Sequence, residues 1–497
     1  MLATNQTYSV LKACTAVIAT AVLLLSSGLY AAAPDGPNTI KVVMAQQADV
    51  SGAFKLPTKL QRGQFVYNAL VATAQQTQAS ILAAISVMGL TAKPYYIANF
   101  IIVQAPAGQT ISATQMAALS GRSDVAAIEP VETFSSKIPT ASAPALTTLP
   151  PGPGVTKNIQ FVNAPLLWGQ GVQGQGATIG IVDSGIQWNH PLLKAHYRGG
   201  ASGAVNHNYN WWDSIHGTLA PGANPCGVNL GAPCDDLGHG THVAGLAVGG
   251  NGTDYQIGVA PKAEFIACRD MDRGYASSGA RFEECLQFML APWDLNRLNP
   301  DSSKAPDVIV HPYHCYVSGA NCTDDPVMHA AFWNLYAAGI TTVVASEDQG
   351  QICGTTGSNP AAYPMALVAG ALDFDPSTNG PAEVIASYSG GGPGNAQMIF
   401  KPSVAAPGTN VLSAVPGGNV AHMSGTSAGA AHLAGSIALL LSKNPSLRGK
   451  PDQIWRLIAT VPSKLIKANT CGSPFPTPNN LYGWGLLDAN QMASNTQ

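Results

Sequence analysis

The chain has 497 residues and a mass of 51.2 kDa, a length that allows about two to four domains. Its 24 lysines and arginines nearly balance 27 aspartates and glutamates, and the net charge of −3 excludes broad electrostatic capture of nucleic acid or an anionic membrane surface. Hydrophobic residues make up 46% of the chain and charged residues only 10%, with 52 glycines and 36 prolines. This composition excludes a disordered chain, collagen, a coiled coil and a polytopic membrane protein, and it is typical of a tightly packed exported protein.

The N-terminus predicts a secretory signal peptide over residues 1–33. Lys12 precedes an apolar run at residues 13–25, and small residues follow at 31–33. The run is shorter than the about 20 residues that a membrane-spanning helix needs, and the alternative is a buried helix of the mature fold. We therefore expect a secreted protein, extracellular or periplasmic, that is released from the membrane when the signal peptide is removed.

Cysteine usage points to the same compartment. Nine cysteines are present, and Cys14 lies within the predicted signal peptide. The even number that remains in an exported chain predicts disulfides. The simplest assignment is two loop-closing bridges, Cys226–Cys234 and Cys315–Cys322, because each pair encloses a short segment that contains glycine and asparagine or proline.

Residues 34–140 are predicted to form a small α+β domain without a catalytic cluster. The evidence is an alternating apolar strand at 96–103, a helix at 113–119 and a strand at 125–131. Residues 141–156 are rich in Ala, Thr, Pro and Gly, a composition that cannot build a core, and they are predicted to be an exposed linker.

Residues 157–497 carry the pattern of an α/β domain. Short strands that are apolar on both faces alternate with helices rich in small residues. The strands lie at 178–182, 308–310, 340–345 and 367–371, and the clearest helices lie at 240–248 and 427–443. Such strands indicate a mainly parallel sheet with helices on both faces, so we expect a three-layer α/β/α architecture.

Three segments of this domain place a reactive side chain beside glycines. Asp183 ends an apolar strand, at the edge where α/β sheets hold their sites, although a strand-end Asp also commonly caps a turn. His239 and Ser427 each lie at a helix start, where free N–H groups favour negative charge; for a Ser this is also an ordinary N-cap position. His239 and His242 could share a metal on one helix face, but the His-Glu-x-x-His spacing of zinc proteases is absent. We therefore predict no metal site.

Taken together and in chain order, these segments resemble the subtilisin-like serine proteases. The matching sequences are Val-Asp-Ser-Gly at 182–185, His-Gly-Thr-His-Val-Ala-Gly at 239–245 and Gly-Thr-Ser at 425–427. The similarity extends over about residues 155–490, and Trp-Asn-His-Pro at 188–191 is similar to the bacillopeptidase F branch of that family.

The resemblance implies a role for each of these side chains. Ser427 is expected to be the nucleophile, His239 the base that takes its proton, and Asp183 the carboxylate that orients the imidazole. It also implies a subtilisin-like domain at 157–497 and an inhibitory, chaperoning propeptide at 34–140. The polypeptide substrate would then be cleaved through an acyl-enzyme.

One departure from the family pattern concerns the oxyanion hole. The family places an Asn after a buried strand, and here the segment Ser-Glu-Asp-Gln-Gly puts Asp348 at that position. An ionised carboxylate cannot donate a hydrogen bond to an oxyanion. Asp348 must therefore be protonated or turned away, unless the turn shifts by one residue and Gln349 supplies an amide.

A second departure lies where the family forms one wall of the primary substrate pocket. Pro312, Tyr313 and His314 occupy this segment, and Pro312 removes one backbone N–H that could pair with substrate. His311, His314 and Cys315 could form a metal cluster, but a disulfide for Cys315 with surface histidines is the simpler interpretation. Pro312, Tyr313 and His314 are therefore candidate substrate-binding residues.

The sequence thus predicts a secreted, propeptide-bearing serine endopeptidase that acts as a monomer and needs no cofactor for its chemistry. Structural calcium is left open. One alternative is a pseudoprotease, a binding or scaffolding protein that keeps the fold with little turnover, which Asp348 and Pro312 favour. Another is an esterase that uses the same three residues. The intact Asp183, His239 and Ser427 set favours the protease.

Overall fold

The computed structural model describes residues 38–131, 133–135, 152, 154–200, 203–217, 224–277, 281–312, 316–317, 320–321, 325–357, 359–375, 377–392, 400–460, 471 and 477–495. The predicted signal peptide and most of the predicted linker lie outside these ranges. Within them, none of the helices has the length and apolar character needed to cross a membrane.

An N-terminal α+β domain precedes the larger domain, as the sequence predicts. Its elements are β1 (Thr39–Met44), α1 (Lys59–Val87), β2 (Thr91–Tyr95), β3 (Phe100–Gln104), α2 (Ala113–Ser120), β4 (Val125–Pro130) and β5 (Thr133–Ser135). The first four strands form an antiparallel sheet in the order β2-β3-β1-β4. The predicted strand at 96–103 begins too early, because the chain turns at Asn99, whose φ is +43°, before β3 starts.

The longest helix of this domain, α1, is not evident from the sequence pattern. Its buried positions recur at every fourth residue, Val66, Leu70, Ala74 and Gln78, but alanines and glutamines dilute the apolar signal. Thr58 caps the helix by accepting a hydrogen bond from the backbone N–H of Gln61. The helix is therefore specified by its cap and by a narrow buried stripe.

The second domain contains the remaining elements. Its strands are β6 (Gly154–Val155), β7 (Thr178–Asp183), β8 (Trp211–Asp213), β9 (Tyr255–Gln256), β10 (Glu264–Arg269), β11 (Tyr275–Ser277), β12 (Val308–His311), β13 (Tyr316–Val317), β14 (Ala320–Asn321), β15 (Thr341–Ala345), β16 (Ala366–Asp375), β17 (Gly380–Ile385), β18 (Val404–Pro407), β19 (Val411–Val415) and β20 (Asn419–Met423). Its helices are α3 (Lys157–Phe161), α4 (Ala164–Trp168), α5 (His239–Val248), α6 (Arg281–Leu290), α7 (Pro326–Ala337), α8 (Thr426–Lys443), α9 (Pro451–Thr460) and α10 (Ala489–Ser494).

A mainly parallel sheet forms the centre of this domain. Its strand order is β17-β16-β15-β12-β7-β10-β8, with β18 also paired to β16, and only the β16–β17 pair is antiparallel. Helices α5 and α8 pack on one face against side chains such as Ile179 and Ile181. Helices α6 and α7 cover the other face against Ile266 and Ile309. The expected three-layer α/β/α fold is confirmed.

The N-terminal domain docks on the face that carries α6 and α7. Its Val66, Leu70 and Phe100 belong to the same buried apolar cluster as the sheet residues Ile266 and Ile309. Among the residues that the structure describes, three ion pairs cross the interface: Lys41–Asp325 (2.9 Å), Lys59–Asp307 (2.7 Å) and Lys93–Glu284 (2.6 Å). Apolar burial and matched charge therefore both hold the two domains together.

Three disulfides occur among the described residues. Cys226–Cys234 closes the predicted short loop, whereas the predicted Cys315–Cys322 pair lies outside the described residues. Cys268–Cys285 joins β10 to α6, and Cys353–Cys471 joins segments 118 residues apart. Sequence spacing predicts Cys226–Cys234 but neither Cys268–Cys285 nor Cys353–Cys471, because these two depend on which distant segments meet in the fold.

Candidate active site

The carboxyl edge of the central sheet collects charged residues from three adjacent strands. Asp183 ends β7, Arg269 ends β10 and Asp213 ends β8, and the strand register places Arg269 beside both aspartates. The carboxyl ends of parallel strands are the edge where α/β sheets place ligands. The backbone N–H of Asp270 donates to the carbonyl of Asp183 (3.1 Å), so the loop after β10 starts beside Asp183.

Asp183 and His239 form a buried hydrogen-bonded pair. The Nδ1 of His239 lies 2.8 Å and 2.9 Å from the two carboxylate oxygens of Asp183. A glycine must follow His239, because a Cβ at Gly240 would lie 2.1 Å from the carbonyl oxygen of Gly185 and 3.0 Å from the Cβ of Asp183. The glycine context noted in the sequence therefore lets the helix approach the strand end closely enough to make this pair.

The environment of His239 prepares it to accept a proton. Burial alone would lower its pKa, but the Asp183 carboxylate, with smaller contributions from Asp235 and Asp348, raises the pKa above that of an ordinary histidine. Its Nε2 is buried and makes no hydrogen bond within the described part of the chain. The ring therefore has one nitrogen fixed on a carboxylate and the other available.

Asp235 holds the start of α5 in place, a role that the sequence analysis does not identify. Its carboxylate accepts hydrogen bonds from the backbone N–H groups of Leu237, Gly238 and Thr241. It also accepts from the hydroxyl of Ser184, the neighbour of Asp183, at 2.8 Å. The same carboxylate thus ties the helix that carries His239 to the strand end that carries Asp183. An Asp four residues before the His is the only sequence signal for this role.

Ser427 lies in the first turn of α8, whose N-cap is Gly425, and its side chain is nearly buried. The helix packs tightly on the sheet, since a Cβ at Gly429 would lie 2.6 Å from the carbonyl oxygen of Gly370. Because α8 also packs against α5, the helices that carry Ser427 and His239 are direct neighbours. The helix start directs backbone N–H groups and a positive dipole end toward this region.

Asp348 lies beside this helix start. Its carboxylate accepts a hydrogen bond from the backbone N–H of Thr426 at 2.8 Å, and its charge interacts with that of His239. Burial raises the pKa of Asp348, while the Thr426 hydrogen bond and His239 act in the opposite direction. Gln349, the alternative amide donor, instead donates to the carboxylate of Glu347 at 3.0 Å.

The predicted substrate-binding segment is only partly described. Pro312 is buried directly after β12, whereas Tyr313 and His314 lie outside the described residues, as does Cys315. Among the residues that the structure describes, His, Cys, Asp and Glu side chains form no group of three suited to a metal ion.

A strand pairing that the sequence does not reveal lies next to the site. β11 follows the loop that starts beside Asp183, and it pairs antiparallel with β5, the last strand of the N-terminal domain. The register places Tyr275 opposite Ser135, Ala276 opposite Phe134 and Ser277 opposite Thr133. An extended segment of the N-terminal domain is therefore hydrogen-bonded along one edge of β11, as an added strand would be.

A family model and the sequences of known proteins both match this chain to the same family. The subtilase family model matches residues 174–485, which is more than half of the chain. Bacillopeptidase F of Bacillus subtilis (strain 168) is 30% identical over 456 residues, covering 88% of this chain and 29% of the relative. Subtilisin E of the same organism is 30% identical over 293 residues, covering 59% of this chain and 62% of the relative.

A third relative matches over nearly its whole length. Subtilisin of Bacillus pumilus is 29% identical over 341 residues, covering 68% of this chain and 98% of the relative. The chain spans less than two thirds of the length of bacillopeptidase F and of subtilisin E. The family match covers the strand, helix and turn that carry Asp183, His239 and Ser427, and the chain belongs to the subtilase family.

Proposed function

We propose that the protein is a secreted serine endopeptidase that cleaves polypeptides through an acyl-enzyme on Ser427. The observation that carries this proposal is the buried Asp183–His239 pair. The Nε2 of His239 makes no hydrogen bond among the described residues, and its helix α5 packs against α8, whose first turn carries Ser427. The three disulfides support an oxidising, extracytoplasmic location.

In the proposed reaction His239 is the general base. It takes the hydroxyl proton of Ser427 on Nε2 as Oγ attacks the scissile carbonyl, and Asp183 stabilises the imidazolium that forms. His239 then gives the proton to the leaving amine, which departs as the C–N bond breaks. In the second half His239 takes a proton from water as the water oxygen attacks the acyl carbon, and it returns that proton to Oγ of Ser427 as the ester bond breaks. The chemistry draws on side chains and backbone alone and calls for no cofactor.

The site offers few hydrogen-bond donors to stabilise the oxyanion. The backbone N–H of Ser427 is one donor, at a helix start where negative charge is favoured. The second position holds Asp348, whose carboxylate already accepts the N–H of Thr426. Only the protonated form of Asp348 can donate. We therefore propose a slow enzyme whose activity requires a protonated Asp348.

The N-terminal domain is proposed to act as an intramolecular inhibitor. β5 pairs with β11 as an extended substrate would, and the rest of the domain is fixed by three lysine–carboxylate pairs. The paired strand ends at Ser135, and the processed chain is expected to begin beyond it, within the linker at residues 141–156.

Processing tests this proposal. Ser427→Ala is expected to accumulate as a precursor that retains the N-terminal domain, because no acyl-enzyme can form. Intact-mass and N-terminal analysis of the exported wild type and variant checks the two lengths. Equal lengths for both would show that another protease does the cutting or that no cut occurs.

Asp235→Asn is expected to shift the acid limb of the kcat/KM profile to lower pH. The Asp235 charge raises the pKa of His239, and removing it lowers the pH at which the base becomes neutral. A pH–rate series on a peptide substrate measures the limb. An acid limb at the wild-type position would contradict an electrostatic role for Asp235.

The second candidate function is a pseudoprotease, which the Asp348 carboxylate at the helix start favours. A fluorophosphonate probe separates the two candidates, since it reacts with a serine only when the base and the site around it are active. Labelling at Ser427 that is lost in His239→Ala supports the enzyme. Absence of labelling in the processed wild type supports the binding protein.

A further inference from the structure

Two adjacent carboxylates before α5 point to different parts of the molecule. Asp235 binds the start of the helix that carries His239, as described above. Asp236 turns the other way and accepts a hydrogen bond from Nη2 of Arg269 at 2.6 Å. The side chains of both Asp236 and Arg269 are fully inaccessible to solvent. Their ion pair is therefore a buried structural contact.

The Asp236 carboxylate also binds the loop that leads to β11. Its second oxygen accepts the backbone N–H of Arg273 at 3.2 Å, two residues before that strand. The side-chain amide of Asn224 donates to Asp236 at 2.9 Å and to Asp272 at 2.6 Å. One carboxylate thus joins the segment before His239 to the loop at 270–274.

The same network holds the disulfide loop. Arg269 donates through Nη1 to the carbonyl of Gly227 (3.1 Å), within the loop closed by Cys226–Cys234. Asn224 accepts hydrogen bonds from the backbone N–H groups of Cys226 and Gly227. In a low-dielectric interior such contacts favour one geometry, because breaking any of them leaves a buried charge or donor without a partner.

We propose that Asp236 is a positioning residue that holds β11, the strand on which an extended polypeptide docks, in register with His239. This inference rests on the proposed function, because it takes β11 to pair with a substrate strand in the processed enzyme as it pairs with β5 here. Among the described residues, the hydrogen-bond partners of the Asp236 carboxylate do not include His239 or Ser427. Asp236 acts through Arg269, Asn224 and the backbone of Arg273.

The test uses Asp236→Asn, which keeps the size of the side chain and removes its charge. KM for an extended peptide is expected to rise about tenfold, because one to two charge-assisted hydrogen bonds that hold the β11 loop are weakened. We expect kcat to change less, and a short ester that does not reach β11 to be hydrolysed at the wild-type rate. The acid limb should stay in place, in contrast to Asp235→Asn.

A second readout does not need activity. In a Ser427→Ala background, hydrogen exchange of the amides at 272–277 should become at least about tenfold faster in Asp236→Asn, because the β11–β5 pairing loosens locally. Exchange in α6 should not change. Asp254→Asn, an exposed carboxylate on another loop, is the matched control and should alter neither KM nor exchange.

Asn224→Ala provides an independent variant, since it cuts the link to Asp272 and leaves the Arg269–Asp236 pair in place. Unchanged KM and exchange at 272–277 in both variants would overturn the inference, as would an equal loss in kcat for long and short substrates. If the parent protein hydrolyses nothing, the proposed function fails, while the exchange result still decides whether Asp236 positions β11.

Discussion

Ser427→Ala is expected to lower peptide hydrolysis by about 10⁶, the loss that subtilisin shows when its nucleophile is removed. His239→Ala should lose a similar factor, because the serine is a weak nucleophile without a base to take its proton. Initial rates on an extended peptide, with active sites counted by a fluorophosphonate label, measure the effect. The double variant should be no slower than either single one.

Ser436→Ala is the matched control for this experiment. Ser436 lies in the same helix α8, is buried, and makes no hydrogen bond within the described residues. Its hydroxyl is far along the helix from the proposed site, so hydrolysis should stay at the wild-type rate. Casein hydrolysis that survives in Ser427→Ala would remove the basis of the proposed function.

Asp348→Asn is expected to raise kcat by up to about 10²–10³, the value of one oxyanion-hole donor, with little change in KM. The amide can donate at every pH, whereas the carboxyl of Asp348 donates only when protonated. The structure adds a reason to expect a large gain in kcat. The carboxylate accepts a hydrogen bond from the N–H of Thr426 at the helix start, and this bond favours the ionised form, which cannot donate to the oxyanion.

The pH profile gives this prediction a second measurement. Activity needs neutral His239, whose pKa is raised, and protonated Asp348, whose pKa is also raised by burial. The wild type should therefore lose activity below the pKa of His239 and above that of Asp348, giving a narrow bell. In Asp348→Asn the alkaline limb should disappear, and the acid limb should stay in place because the Asp348 carboxyl is already uncharged at that pH.

Two outcomes would contradict this account of Asp348. An unchanged kcat in Asp348→Asn, together with a large loss in Gln349→Ala, would place the donor at Gln349 despite its hydrogen bond to Glu347. A variant that stays inert although Ser427 is labelled would move the cause to the segment that begins at Pro312, and it would favour the pseudoprotease.

Features that depend on local pattern follow directly from the order of the amino acids. Apolar runs such as the one ending at Asp183 predict buried parallel strands, because only a sheet covered on both faces needs apolar residues at every position. The glycines around His239 and before Ser427 mark close approach of backbone segments, and the structure shows that contact at Gly240. Fold class and the candidate reactive residues were therefore accessible without coordinates.

The tertiary structure alone decided which distant segments meet and where each side chain points. The Cys353–Cys471 bridge, the β5–β11 pairing and the lysine–carboxylate pairs between domains join positions that no local period relates. Asp348 also shows that a residue's position can be predicted from sequence while its hydrogen-bond partner cannot. Its place after a buried strand was evident from the sequence, but the hydrogen bond to Thr426 is set by how α8 packs on the sheet. A side chain's chemistry follows from its type, whereas its partner follows from the packing of elements far apart in the chain.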